Sequence, residues 1–161
     1  AQSKGLPALD ERKSLGQFLE SWLATMEHQV KAGTWVRYQQ HLAHLLVELK
    51  RMPIARLLPQ QIEMLYAQLL SDGLSSTTVH SLHTVLHNAL NDALRLGAVS
   101  RNVTALIDPP RPRRSEMQVL TPDQAKMFLA ACNGERFEAL YILALTTGMR
   151  EGELLALLGR T

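Results

Sequence analysis

Two residues of opposite charge stand between apolar runs in the stretch TTGMREGELLAL, which covers residues 146–157. Arg150 carries a guanidinium, whose paired N–H donors match the oxygens of an anion such as a phosphate. Glu153 follows three residues later, a spacing that puts two side chains on one face of a helix. The pair is therefore either an ordinary exposed ion pair or part of a functional site. Gly148 precedes it and can take a positive φ that turns the chain into a new helix.

Three histidines, His80, His83 and His87, form a second group with chemical potential. Steps of three and four residues place them along one side of a helix, a spacing at which imidazoles can bind a metal ion. No acidic residue or cysteine is placed on that helix to complete such a site, so we expect no metal. Cys132 lies in no metal-ligand or nucleophile pattern, and one cysteine excludes an internal disulfide.

Apolar residues recur at steps of three and four, which predicts amphipathic helices and an all-α fold. Four helices are expected between residues 11 and 97. Gly33 is expected to end the first helix and Thr34 to cap the second, TWVRYQQHLAHLLVELK. Ser75 or Ser76 is expected to cap the fourth helix, and Gly97 to end it. The buried stripe of that fourth helix is expected to comprise Val79, Leu82, Leu86, Leu90, Ala93 and Leu94.

The composition changes after residue 97. Prolines and arginines alternate in DPPRPRR, and proline disfavours helix, so this segment is expected to be an extended basic linker. Thr121, Pro122 and Gln124 then predict a capping box that starts a second helical unit. The predicted divisions are a disordered segment 1–10, a helical domain 11–107, a linker 108–119 and a second unit 120–161.

The bulk composition suits a protein with a buried core, because 46% of its 161 residues are hydrophobic. A net charge of +2 and a pI near 8.9 are mildly basic and do not by themselves indicate a nucleic-acid binder. No stretch approaches the roughly 20 apolar residues that cross a membrane. Residues 1–13 lack the apolar run of a signal peptide. We therefore expect a cytoplasmic protein with no membrane partner.

Three segments resemble the tyrosine recombinases of the phage-integrase family, in that family's order and spacing. The stretch LTTGMREGELLAL is similar to the first catalytic motif, and LTPDQAKMFLAAC to the start of the catalytic domain. GTWVRYQQHL and the segment from LLPQQIEML to LGAVSRN resemble the core-type DNA-binding domain. The resemblance covers residues 15–158. It implies a four-helix SAM-like core-binding domain, a linker and a truncated helical start of the catalytic domain.

The resemblance implies that the parent protein cuts and rejoins DNA strands through a 3′-phosphotyrosyl intermediate, without a cofactor. Arg150 matches the first catalytic arginine, whose guanidinium would stabilise charge gathering on the phosphate oxygens in the transition state. Glu153 matches the acid of the motif, which would hold the arginine or its neighbours in place. Double-stranded DNA and other recombinase protomers are the implied partners.

The chain departs from the family pattern after ELLALL. The hairpin lysine, the His-x-x-Arg motif and the late nucleophilic tyrosine are absent. Tyr38, Tyr66 and Tyr141 do not match the nucleophile's context and are expected to pack within the protein. We therefore expect a recombinase fragment that is inactive alone. Its apolar C-terminal helices, without the sheet that they would cover, are expected to form a homodimer or to pack on the four helices.

DNA contacts are expected from basic and polar residues near helix starts and in the linker. The candidates are Lys31, Thr34, Arg37, Ser76, Thr77, Thr78, His80, His83, Arg101, Arg111, Arg113 and Arg114. Two alternatives stay open. One is a DNA-binding adaptor or repressor that occupies a site without cutting it. The other is a helical protein-interaction module, which the small net charge favours.

Overall fold

The computed structural model describes residues 13–112 and 118–158. The chain divides into two compact units, Ala1–Arg114 and Ser115–Thr161. Within the described residues every regular element is helical, and the one β-like feature is an isolated bridge between Ser14 and Pro53. The all-α prediction is confirmed. The predicted disordered segment 1–10 lies outside the described residues, and the predicted domain boundaries stay predictions.

The described residues of the first unit form one more helix than the sequence predicted. Its described helices are α1 (Leu15–Met26), α2 (Ala32–Ala43), α3 (Val47–Arg51), α4 (Pro59–Ser71) and α5 (Ser76–Arg95), with 3-10 turns at Ile54–Arg56 and Val103–Leu106. The expectation of one continuous second helix is wrong, because the chain is extended at Leu46, between α2 and α3. Leu45 and Leu49 lie on either side of this break and are both buried, at 3% and 7% exposure.

The predicted boundary between the first two helices is also wrong. Lys31, not Thr34, is the N-cap of α2, and it makes no side-chain capping hydrogen bond. Gly33 lies inside the first turn of α2 instead of ending α1.

A reciprocal capping box fixes the start of α1. Ser14 Oγ accepts from the backbone N–H of Gln17 at 3.2 Å, and Gln17 Oε1 accepts from that of Ser14 at 3.1 Å. Gly16, the second residue of α1, lies against α3. A Cβ at this position would stand 3.0 Å from the carbonyl oxygen of Lys50. The close approach of α1 and α3 therefore depends on the missing side chain at residue 16.

The central apolar face of the first unit belongs to α5. Its N-cap is Ser75, whose Oγ accepts from the backbone N–H of Thr78 at 3.1 Å. The stripe prediction is confirmed at five positions and wrong at Leu94, which is 41% exposed. Ala93 is buried, and the neighbouring Leu94, which points about 100° away around the helix, lies outside the buried face. Val85 and Ala89 are buried in addition.

Both tryptophans use their indole N–H groups inside the first unit. Trp22 donates from Nε1 to Asp92 Oδ2 at 2.8 Å, which joins α1 to α5, and its ring stacks on Tyr38 of α2 with centroids 5.4 Å apart. Trp35 donates from Nε1 to the carbonyl oxygen of Leu23 at 2.9 Å. These contacts tie three helices together with polar bonds at the edge of the core.

A buried amide fixes the segment that follows α5. Gly97 ends the helix with a φ of 71°, as predicted. Asn102 donates from Nδ2 to Asn91 Oδ1 at 2.8 Å and to the carbonyl oxygen of His87 at 3.0 Å. Its Oδ1 accepts from the backbone N–H of Thr104 at 3.0 Å and from the Thr104 hydroxyl at 2.6 Å. This one side chain holds the second 3-10 turn on α5.

The second unit contains three described helices, α6 (Pro122–Ala131), α7 (Glu138–Thr147) and α8 (Glu151–Leu158). The predicted capping box is confirmed: Thr121 Oγ1 accepts from the backbone N–H of Gln124 at 3.2 Å, and Gln124 Oε1 from that of Thr121 at 2.8 Å. Leu154 and Cys132 are buried. Large apolar side chains stay exposed on all three helices: Met127, Phe128, Ile142, Leu145, Leu155 and Leu157. The homodimer through these helices stays a prediction.

No helix among residues 13–112 and 118–158 is both long enough and apolar enough to cross a membrane. The predicted compartment stays a prediction.

Candidate nucleic-acid interface

Arg150 lies at the junction of α7 and α8. Gly148 ends α7 in the left-handed conformation, with a φ of 67°, and its N–H donates to the carbonyl oxygen of Ala144. The positive φ predicted for Gly148 is confirmed. The carbonyl oxygen of Arg150 accepts from the backbone N–H groups of Glu153 and Leu154 at 2.9 and 3.0 Å. Arg150 therefore directly precedes α8 and accepts its first hydrogen bonds, whereas the sequence predicted that Arg150 lies within the helix.

Glu153 binds Arg150 through the backbone and approaches its side chain. Its Oε2 accepts from the Arg150 backbone N–H at 2.8 Å, and its Oε1 lies 3.5 Å from Arg150 Nη1. The Arg150 side chain is 88% exposed and that of Glu153 is 54% exposed. An exposed ion pair contributes little to stability, so the backbone bond is the firmer part of this contact. The guanidinium remains open to an anionic ligand.

Thr147 connects the end of α7 to the loop that carries Arg150. Its hydroxyl donates to the carbonyl oxygen of Leu143 at 2.6 Å and accepts from the backbone N–H of Met149 at 3.3 Å. The apolar periodicity of α7 does not predict these two bonds of Thr147. A threonine directly before the glycine that ends a helix was the available signal, because short hydroxyl side chains bond to nearby backbone groups.

The candidates near the start of α2 differ in exposure. Lys31 and Arg37 are exposed, and Thr34 is half-buried. Both cations are therefore open to a phosphate backbone, as the DNA-contact prediction requires. At the start of α5, Thr77 is exposed, and the Thr78 hydroxyl lies 2.9 Å from Ser75 Oγ. Ser76 is half-buried.

The candidate histidines of α5 have partners within the protein. His80 Nδ1 lies 3.2 Å from the carbonyl oxygen of Pro110, and His83 Nδ1 lies 3.1 Å from the Tyr66 hydroxyl. Burial, and then the positive charges of His87 and His80, lower the pKa of His83. Burial also raises the pKa of Tyr66 well above its usual value. The DNA role of these histidines stays a prediction.

The candidates after α5 are only partly within the described residues. Arg101 and Arg111 are exposed. Arg113 and Arg114 lie outside the described residues. No three His, Cys, Asp or Glu side chains in the described part of the chain come close enough together to hold a metal ion.

A protein-family model and a whole-protein relative indicate the same family for this chain. The model of the phage integrase N-terminal SAM-like domain matches residues 14–70. A tyrosine recombinase XerC-like protein of Caldanaerobacter subterraneus subsp. tengcongensis is 30% identical over 153 residues, covering 89% of this chain and 39% of that protein. The chain belongs to the tyrosine recombinase family. This tyrosine recombinase chain therefore spans about two fifths of the length of that relative.

Solved structures resemble this tyrosine recombinase chain at two levels. The phage integrase SAM-like domain from Moorella thermoacetica is 31% identical, with a TM-score of 0.55. The match covers 67% of this chain and 94% of that domain. A lambda integrase dimer bound to a COC′ core site has a TM-score of 0.72. The match covers 85% of this chain and 39% of the integrase chain. Its identity is 17%, so that likeness concerns the fold alone.

Proposed function

We propose that the chain binds duplex DNA at a recombination core site, as part of a site-specific recombinase of the phage-integrase type. The family membership and the order of the three sequence segments support this function. The lambda integrase with a similar fold is bound to a core site. Double-stranded DNA and other recombinase protomers are the proposed partners, and no cofactor is required.

The fixed backbone and exposed side chain of Arg150 are the main support for this function. Its backbone N–H is held by Glu153 while its side chain is 88% exposed. A guanidinium fixed at its base and free at its tip can bind two oxygens of a phosphate at once. In the full recombinase, Arg150 would stabilise the charge that builds on the phosphate during strand transfer, and Glu153 would position it.

The chain by itself is proposed to bind DNA without cutting it. The chain has three tyrosines. Tyr66 is buried, Tyr38 stacks on Trp22, and Tyr141 packs edge-on against Phe128 with ring centroids 5.4 Å apart. None of these phenols is presented as a nucleophile. Incubation with duplex DNA should therefore leave no covalent protein–DNA adduct on a denaturing gel, and an adduct would overturn this part of the proposal.

Filter binding to a duplex at increasing salt tests the DNA function. Affinity should fall with salt, and Arg37→Gln and Arg111→Gln should each make the slope of log affinity against log salt shallower by about 0.9. Arg95→Gln is the charge-matched control, because Arg95 pairs with Asp92 at 2.9 Å and is not a candidate contact. Arg150→Gln should also weaken binding, with Arg136→Gln as its control. Binding that is absent at low salt would favour the protein-interaction alternative.

Self-association is tested separately by sedimentation velocity. If the exposed apolar side chains of the second unit form a homodimer, the apparent mass rises with concentration and Leu157→Glu lowers it. Leu157 is 59% exposed, so the substitution should not disturb the monomer. A mass that stays monomeric at all concentrations would contradict the homodimer.

A further inference from the structure

Three histidines on one side of α5 each contact a different segment of the first unit. His80 Nδ1 lies 3.2 Å from the Pro110 carbonyl oxygen, and His87 Nδ1 lies 3.1 Å from Thr104 Oγ1. Between them, His83 Nδ1 lies 3.1 Å from the hydroxyl of Tyr66 on α4. We call His80, His83 and His87 the histidine row. It joins α5 both to α4 and to the segment 102–110.

The partners determine where the protons lie on the outer two rings. A carbonyl oxygen only accepts, so His80 must carry a proton on Nδ1 to bond Pro110. The Thr104 hydroxyl donates to Asn102 Oδ1, so it accepts from Nδ1–H of His87. His80 and His87 can each take a second proton on Nε2 and keep these bonds.

His83 is in the opposite state. Among the described residues its ring is the one hydrogen-bond partner of the Tyr66 hydroxyl. That buried hydroxyl is satisfied as a donor only if Nδ1 of His83 accepts from it, which requires a neutral ring with its proton on Nε2. A proton added to Nδ1 removes the acceptor and leaves the buried O–H of Tyr66 without one.

No carboxylate among residues 13–112 and 118–158 pairs with His83 to balance a charge on its ring. Its ring stacks on that of His87, with centroids 5.9 Å apart and planes 21° apart. The titratable groups that face it are Tyr66 from α4 and the histidines on either side of it along α5. In the described part of the chain, none of the three histidines pairs with a carboxylate. Burial and the two neighbouring charges lower the pKa of His83 accordingly.

We propose that His83 is the proton-sensitive member of the histidine row: its ring holds α4 on α5 while it is neutral, and this contact loosens when the ring takes up a proton. The sign follows from linkage. The pKa of His83 is lower in the folded than in the unfolded state, so the unfolded state binds more protons in mild acid. The stabilisation is complete above the unfolded pKa of about 6.5 and is lost as pH falls through the folded value.

The first measurement is an NMR titration of the six histidine rings in the unmodified chain. The His83 ring should titrate below the ordinary histidine value of about 6.5. The amide exchange of Tyr66 on α4, corrected for the intrinsic effect of pH, should accelerate as His83 becomes protonated. A His83 ring that titrates at or above about 6.5 would overturn the proposal, and this readout needs no substitution.

Substitutions give the second measurement. Between about pH 7.5 and pH 5, the midpoint of thermal unfolding of the first unit should fall as His83 takes up its proton. His83→Gln keeps an acceptor for Tyr66 and does not titrate, so it should reduce that fall. His28→Gln, at an exposed position, should leave the fall unchanged. Equal falls in the unmodified chain and His83→Gln would overturn the proposal.

Discussion

Glu153 accepts the backbone N–H of Arg150 at 2.8 Å with one carboxylate oxygen and places the other 3.5 Å from the guanidinium of the same residue. The shorter contact of Glu153 is thus with the backbone at the start of α8, and its contact with the Arg150 side chain is longer. This arrangement separates the position of the arginine from its charge. A ligand that binds the guanidinium does not have to break the bond that holds residue 150.

Removal of the Glu153 carboxylate should loosen the start of α8. Glu153→Ala leaves the Arg150 backbone N–H without its acceptor, which should lower the local opening free energy by about 1 kcal/mol. Amide hydrogen exchange at Arg150 measures this change directly. Glu153→Gln keeps an amide oxygen at the same place and should retain most of the protection. Equal exchange rates in the two variants would contradict the capping role.

Gly148 and Gly152 form a matched pair for testing the turn before Arg150. A Cβ at either position meets no atom within 4 Å, so crowding is not a factor. Gly148→Ala forces a side chain into the left-handed region, which should destabilise the second unit by about 1–2 kcal/mol. Gly152→Ala lies within α8 and should stabilise the helix by roughly 0.5–1 kcal/mol. Amide exchange in α7 and α8 should therefore move in opposite directions in the two variants.

Asn102→Ala should be among the costliest single changes in the first unit. It removes an amide that is 6% exposed and leaves the N–H and hydroxyl of Thr104 without their acceptor. We expect a loss of about 3 kcal/mol in the free energy of unfolding, measured by urea denaturation and circular dichroism. Asn88→Ala, on the exposed side of α5, should change that free energy by less than about 0.5 kcal/mol. Similar losses in both variants would refute the special role of Asn102.

Gly16→Ala should push α1 away from α3. The added Cβ would stand 3.0 Å from the carbonyl oxygen of Lys50, and backbone cannot rotate away as a side chain can. A loss of about 1–3 kcal/mol in the same denaturation experiment is expected. Gly33→Ala provides the control, because its Cβ meets nothing within 4 Å in the first turn of α2. Stabilities that respond alike to both substitutions would show that the contact with Lys50 is unimportant.

The long helices were predictable because their apolar residues repeat at a helical period, and the caps at Ser75 and Thr121 follow simple side-chain chemistry. The break before α3 was not predictable in this way. The sequence around Leu45 and Leu49 keeps helical spacing across it, so periodicity alone favours one continuous helix. Both leucines are buried on either side of the break.

In the candidate site, too, contacts between residues close in sequence were predictable, and those that depend on more distant residues were not. The proximity of Arg150 and Glu153 was predictable from their spacing, since three residues within a helical turn bring side chains together. The position of Arg150 ahead of the helix depends on how Gly148 and Thr147 end α7. Asn102 was missed because its partners, Asn91 and His87, lie 11 and 15 residues earlier along the chain.

The positions of Trp22 and Trp35 have a practical consequence. They are the two tryptophans of the chain, and both belong to the first unit. Intrinsic tryptophan fluorescence therefore reports on that unit alone, while the helices around Arg150 contribute no tryptophan emission. Trp22 is 5% exposed and stacks on Tyr38, so its emission should shift to longer wavelength when the first unit opens. Tryptophan fluorescence follows the unfolding of the first unit, whereas circular dichroism follows the helices of both units. Unfolding curves from the two methods coincide if the units unfold together and differ if they unfold separately.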